Sequence, residues 1–595
     1  MFDINDVDFR GRLCNSLSYW AKEHDVFRLS RKQLIAHHAG SPNFAKLLGL
    51  NVKDKEMTGN LIQLGAQAHA LQLAFGMPQY KFVAQGPELD DIATRLEHSI
   101  NRYFHLLDAT RLTRAWALDS YFGWAIACVE DGLLPPGVRA ATGMGYGPDV
   151  KRISQDDFFF DGHSTDIRDM GWLAHTFLTP LHLAQNFEGY DPIVRAKLSE
   201  WSYTNQDRNA RAQAGVLGSK TAIPMTRLVS VYLPLYGCRA IWPANDAEFS
   251  GVRGMPLAVE DWRGHYTGPY EIASMLDIPD NLFPVALSES TKRLHILFNA
   301  LADITSNQAL EAKYNPVFEV GSERDAQRLM NAKDRVFTPV SNIAKIGQWQ
   351  VPGPDASQTQ YMGATLQMFK EFSGNLDDTL GLGATAPTAS QSQLIRQSTS
   401  VRSADRRQRF NRFLAMIATK LGHLFLHNQD LYVPARRVIP GTTFSVDTSW
   451  LPAAELPRPQ NIDEFLINVV PYSAEYRDPA TRIAQLNEAT GQIFQAMQLA
   501  AQGVPVDLEA FVELQADYRD LPELRGIYSG LLPEYTERKG NAEVNAQKRQ
   551  NVGEYTRRNV SAQTNGGALM QNLAQSGGQN GQGGAGGGMR IGAAA

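Results

Sequence analysis

The longest helical pattern in the chain, Leu394–Asn428, constrains the fold more than any other feature. Its first half, residues 394–412, sets six arginines (Arg396, Arg402, Arg406, Arg407, Arg409 and Arg412) against one acid, Asp405. Its second half carries an apolar face, Phe413, Ile417, Leu421, Leu424 and Phe425, at helical spacing. One helix therefore has a cationic end and a core-seeking end. The guanidinium groups suit two tasks: facing nucleic-acid phosphates, or pairing with acids of a neighbouring subunit. Arg402, Arg406 and Arg409 share a face, and Arg396 lies nearly a turn and a half earlier.

Two further helices precede it. Leu287–Tyr314 carries an apolar seam at Leu294, Leu297, Phe298, Leu301 and Ile304, with Lys292, Arg293 and Glu311 off the seam. Ser288 or Ser290 is expected to cap it and Pro316 to stop it. Ala356–Leu380 places Met362, Leu366, Phe369 and Leu376 on one side. Between them, Val317–Val351 reads as a small helix (Ser322–Met330) with strand-prone pieces at Arg335–Val340 and Trp349–Val351. Gly381–Gln393 is small, polar and rich in Gly, Pro, Thr and Ser, and is expected to be a loop.

Residues 1–130 read as helical, with Ile92, Leu96 and Ile100 on one face and Leu106–Val129 continuing the pattern. Residues 136–250 are mixed, with strand-like runs such as Arg227–Tyr236. Strand-like alternation returns at 436–472, clearest in Phe465–Val470. Residues 477–530 are helical again, and 565–595, dominated by Gly, Gln, Asn and Ala, are expected to be disordered. The fold class read from this order is α+β, mainly helical.

Composition excludes several functions. At 595 residues the chain needs no disulfide or metal staple. Its net charge of −5 argues against a uniformly basic nucleic-acid coat. Cys14, Cys128 and Cys238 are far apart, which removes a disulfide framework or zinc ribbon and predicts buried thiols. No apolar leader or membrane-length segment is visible, so a soluble cytoplasmic chain without a membrane partner is expected.

Motifs for chemistry are sparse. Gly215–Thr221 (GVLGSKT) departs from a phosphate-binding loop because Ser219 separates Gly218 from Lys220. Asp156, Asp157 and Asp161 with His163 could hold a divalent cation, but the Phe triplet among them reads as a strand edge. His37 and His38 are adjacent and diverge on a helix. No nucleophile motif, metal set or cofactor site is assigned.

The order of elements, with some local sequence, resembles the portal proteins (head–tail connectors) of tailed bacteriophages, in the short-tailed branch. Ser154–Asp161, then Thr165-Asp166-Ile167-Arg168-Asp169 and Trp172-Leu173-Ala174-His175, is similar to the family's P-x-D-F-x-x-D … D-x-x-D-x-x-W segment, with Ser154-Gln155 replacing its usual lead. Trp349–Gly353 and Phe372–Leu382 are similar to the passage into its channel loop.

That resemblance implies the portal fold, assembled as a ring of about a dozen subunits. Residues 1–286 with 431–472 would form the wing, 287–314 and 356–380 the stem helices, and 315–355 the clip. Residues 381–393 would be the tunnel loop, 394–430 a long kinked helix, 473–540 the crown and 541–595 a disordered tail. Gly383, Ala384, Thr385, Ala386, Pro387, Thr388 and Ser390 would face the DNA channel. Arg396, Arg402, Arg406, Arg409, Lys292 and Arg293 would touch DNA or a neighbouring subunit, and Arg335 and Trp349 would lie in the clip, Trp349 as an anchor for partners or as a core residue.

The implied function is a non-enzymatic channel at one capsid vertex of the virion, assembled in the host cytoplasm, through which double-stranded DNA is packaged and ejected without sequence preference. Implied partners are the terminase large subunit, major capsid and scaffolding proteins, and tail adaptors. The residues alone leave two other readings open: a metal-dependent nuclease built on Asp156, Asp157, Asp161 and His163, or a DNA-binding scaffolding module built on the 394–412 arginines.

Overall fold

Asp6 opens the first helix by accepting the Asp8 backbone N–H (3.2 Å). Gly40 closes it in the left-handed region at φ +66°, so α1 spans Val7–Ala39. The computed structural model describes residues 4–40, 59–164, 166, 169–201, 223–246, 248–332, 339–342, 344, 346–351, 353–373, 389–438, 445–456, 458–459, 461–470 and 479–501, and four single positions between 511 and 524. It is α+β with about 52% helix and 19% strand, so helix dominates as the sequence pattern predicts.

After α1 come α2 (Leu61–Leu73), β1 (Tyr80–Ala84), α3 (Asp90–Leu106), α4 (Ala109–Tyr121) and β2 (Trp124–Leu133). The expected helical continuation over Leu106–Val129 is broken twice. Asp108 sits in the left-handed region at φ 57°, which separates α3 from α4. Gly123, at φ 144°, then turns the chain into a strand; a Cβ there would collide with Gln155 Oε1 and meet Phe27 at 2.9 Å. β2 is buried on both faces: Trp124, Ile126 and Cys128 enter one core while Ala125, Ala127 and Val129 enter another. A strand apolar on both sides has no alternation, which is why it passes for a buried helix in sequence.

β3 (Tyr146–Arg152), β4 (Phe158–Phe160), β5 (Leu173–Pro180), β6 (Met225–Leu233), β7 (Cys238–Pro243), β8 (Ala258–Asp261) and β9 (Tyr270–Ser274) complete two antiparallel sheets. One has the order β3-β2-β9 and the other β4-β5-β6-β7-β8. The Phe triplet forms β4, as expected of a strand edge, and the run at 227–236 is mostly β6. The N-terminal half of α1 packs Leu13, Cys14 and Leu17 against Val229, Val231 and Trp242 of the larger sheet. All three cysteines are buried and unpaired, as expected.

Next come α5 (Leu287–Glu311), β10 (Lys313–Phe318), α6 (Glu323–Met330), β11 (Ile346–Val351), α7 (Ala356–Phe372) and α8 (Ala389–His427). Three boundaries differ from expectation. The first long helix ends at Glu311 rather than Tyr314, and Pro316 lies inside β10, opposite Gln348. A two-stranded ribbon has only edge strands, so the missing proline N–H costs it little. Ser288 and Ser290 do not cap α5: Ala286 is at the cap, and the Ser288 hydroxyl donates to the Tyr121 carbonyl (3.1 Å). α8 begins at Ala389, so Ser390 belongs to a helix and not to a loop; no Pro or Gly follows Pro387 until Gly422. α8 is one unbroken helix.

The chain returns through β12 (Arg436–Val438), β13 (Ser445–Asp447) and β14 (Phe465–Val469). β14 pairs antiparallel with β1, from Tyr80↔Val469 to Ala84↔Phe465. The large core joins the apolar half of α8 (Phe410, Phe413, Leu414, Ile417, Leu421 and Phe425) to α2, α3, α4 and β2. One compact unit comprises residues 1–437 and 445–477, and the second comprises 438–444 and 478–595. In the second unit, α9 (Pro479–Ala501) buries Ala489 and Ile493 with Val512 and Leu524. Among the described residues no helix is long and apolar enough to cross a membrane.

Candidate functional site: a two-helix stalk and an arginine-bearing helix

α5 and α7 lie side by side, joined at one end by the β10–β11 ribbon, whose register runs from Lys313↔Val351 to Phe318↔Ile346. Their opposite ends are held in the core. On α5, Leu287, Ser288, Thr291 and His295 are buried, and the His295 ring meets His37 of α1 edge-on at 5.4 Å. The Asn299 side-chain amide exchanges two 3.0 Å hydrogen bonds with the Gly59 backbone. On α7, Phe369 is fully buried with Leu61 and Ala68, and Leu366, Leu294 and Phe298 pack around them.

Burial fades towards the ribbon. Ile304 is 47% exposed and Leu310 78%, and Tyr361 on α7 is 53% exposed. The expected seam therefore divides: Leu294 and Phe298 reach the core, Leu297 and Leu301 are half-buried, and Ile304 faces outward. The two helices form a stalk that carries the ribbon and α6 away from the core.

The arginines of α8 divide as well. Arg406 is half-buried and donates to the carbonyl of Ser373, the residue that caps α7 (3.3 Å). Burial there pulls its pKa below the usual arginine range. It is a cation placed at a helix C-terminus. Arg409 pairs with Asp277 and with Asp405 (3.3 Å) of the same chain. Arg402 and Arg412 are exposed and make no hydrogen bond or ion pair among the described residues. Lys292 of α5 lies 3.6 Å from Glu289 and donates to Gln33 (3.3 Å), while Arg293 is exposed.

Arg396 and Ser390 lie on α8, and Trp349 lies on β11 opposite Asn315; their side chains are outside the described residues. Arg335, Gly383, Ala384, Thr385, Ala386, Pro387 and Thr388 fall outside the described residues altogether, as do Gly215–Thr221.

Two cations on or beside α8 escape sequence reasoning. Lys420 sits within the apolar face, 1% exposed, with Nζ 2.9 Å from Glu271 and donating to the Tyr270 carbonyl. Arg458 donates to the Phe425 carbonyl (2.9 Å), and also to Asn428 and Leu451, and its guanidinium lies 4.8 Å over the Trp450 ring. It satisfies carbonyls that α8 leaves open at its end. Burial lowers its pKa to about 10. A lysine interrupting an apolar stripe is a readable signal; an arginine thirty residues beyond a helix end is not.

The acids near the Phe triplet do not converge. Asp156 is buried and bonded to Arg31 (3.1 Å), Asp157 accepts from Thr176 (2.9 Å), and Asp161 meets His163 (2.9 Å). Arg31 also approaches Asp119 (3.9 Å), which binds Arg152 through two oxygens. These carboxylates tie α1 to α4 and to the strands. Among the described residues, no three His, Cys, Asp or Glu side chains could hold a metal ion together.

His37 and His38 are half-buried against His295 and Phe122, and burial lowers both pKa values.

No family model matches the chain, and no curated protein matches it.

Proposed function

We propose that this chain is the subunit of a ring-forming portal, a channel protein that passes double-stranded DNA at a capsid vertex. The observation that carries the reading is the stalk: two helices leave the core with apolar residues uncovered, and hold a small strand-and-helix unit at their far end. Ile304, Leu310 and Tyr361 stand exposed in the isolated chain, and a neighbouring copy would bury them. The chain order supports the same reading. A mixed N-terminal region leads to the stalk, the stalk leads to a long helix, and β14 returns to pair with β1. In this reading, α5 and α7 are stem helices, residues 315–355 the clip, and residues 381–388 line the channel. The terminase motor, the capsid and scaffolding proteins and the tail adaptors are the partners. The buried ion pair of Asp156 with Arg31 and the hydrogen bond that Asp157 accepts from Thr176 favour structural roles for these acids over nuclease chemistry.

Native mass spectrometry with class averages of negatively stained particles tests the proposal. A closed ring of about a dozen copies around a central hole is expected. A protein that stays monomeric at high concentration and also in the presence of capsid and scaffolding proteins would overturn it.

A further inference from the structure

Helix α3 buries Ala93, Leu96, Ile100, Tyr103 and Phe104. On another face, Arg95, His98, Arg102 and His105 recur at spacings of three and four, which stacks them into one ridge. Arg95 is anchored by Asp91 (2.9 Å) and by the Ser449 carbonyl (3.3 Å). The Ser99 hydroxyl donates to the Thr448 carbonyl (3.3 Å). These contacts lay the returning chain along α3 and bring two more cations to it. Arg437 is close enough to help lower the pKa of His98, and Arg436 and Arg95 help lower that of Asp447.

Arg102, His105, Arg436 and Arg437 are exposed, and among the described residues none of their side chains makes a hydrogen bond or ion pair. The facing acids are Asp91 and Asp447, and Ser449 already occupies Asp447 (2.9 Å). A chain of net charge −5 thus concentrates cations at one place.

The character of the ridge selects its partner. Between Val83 and Leu133 no large apolar side chain is exposed among the described residues, while the returning chain exposes Tyr432 and Val446. A protein interface needs an apolar or aromatic centre, and the exposed face of α3 offers none among the described residues. A nucleic-acid backbone is bound by cationic and hydrogen-bond-donating groups without an apolar centre, and guanidinium groups supply both. Arg95 to Arg102 spans about 10 Å of helix axis, and duplex DNA carries a charge about every 1.7 Å, so several phosphates fall within reach.

We propose that Arg102, Arg436 and Arg437, flanked by Arg95, form a binding ridge for the backbone of duplex DNA, independent of base sequence and separate from the α8 arginines. The inference goes beyond the portal reading and does not need it.

The test uses the full chain and a labelled mixed-sequence duplex of about 30 bp, with anisotropy read across a salt series. R102Q/R436Q/R437Q should weaken binding at least tenfold, and the plot of log affinity against log salt should become shallower by about three. All three side chains are exposed, so the variant should keep the wild-type circular dichroism and oligomeric state. R402Q should leave the contribution of the ridge intact. Wild-type affinity and slope in the triple variant would overturn the ridge while leaving the portal reading standing. So would a wild-type protein that fails to bind duplex at low salt. Equal competition by polyglutamate would also overturn it, in favour of an acidic protein partner.

Discussion

A single arginine controls how the longest helix ends. Arg458 covers carbonyls of Phe425, Asn428 and Leu451, and Trp450 stacks beneath its guanidinium. Removing it would leave partly buried acceptors without donors and take a cation from a helix C-terminus. Arg458→Ala should therefore lower stability by about 2 kcal/mol, read as a fall in the thermal midpoint. Arg458→Lys should recover only part of the loss, because an ammonium cannot reproduce the planar fork. An Ala variant as stable as the wild type would remove Arg458 from this role. At this scale the sequence is an uneven guide. The spacing of Arg402, Arg406 and Arg409 correctly places them along one helix. It does not tell that Arg406 is spent on the Ser373 carbonyl and Arg409 on Asp277, because both partners lie far away in the chain.

The stalk is the element on which the functional reading depends. Its helices are legible because an amphipathic pattern with period 3.6 survives in isolation. Their ends are not, because Pro316 stands in a strand and Ser288 is drawn to the Tyr121 carbonyl. The apolar side chains beyond the core give the sharpest test. Ile304→Asp with Leu310→Asp alters two exposed positions, so the monomer should keep its thermal midpoint to within about 0.5 kcal/mol of stability. Ring assembly should fail in the same variant, as carboxylates would be buried against a neighbour. Rings that form as readily as in the wild type would place the subunit interface elsewhere. β2 shows the limit of pattern reading: apolar on both faces, it has neither period, and only its two sheet neighbours decide its state.

Across the whole molecule, histidine burial sets an acid limit. Burial lowers the pKa of His24, His37, His38, His69, His98, His175, His265, His295 and His423. His69 is held at about 3, and His175, His265 and His295 at about 4. The unfolded chain, with histidines near 6.5, then binds more protons than the folded one between roughly pH 6.5 and 4, and stability must fall as pH drops through that window. Between pH 7 and 5, each of the deeply buried His69 and His175 should cost about 2 kcal/mol. The carboxylates act lower down. Glu130, paired with Arg239 and Lys151, titrates at about 2, so its contribution is present above the ordinary glutamate range and is lost only as pH falls towards 2. Asp131 and Asp149 are raised by burial and oppose it, gaining protons in the folded state first. The thermal midpoint should decline steadily from pH 7 to 5, and His175→Gln should flatten that decline even if it lowers the midpoint at pH 7, where its hydrogen bond to Tyr270 (2.7 Å) is lost. A midpoint that stays level from pH 7 to 5 would mean that these imidazoles take up protons in the folded state, and that their packing yields at little cost.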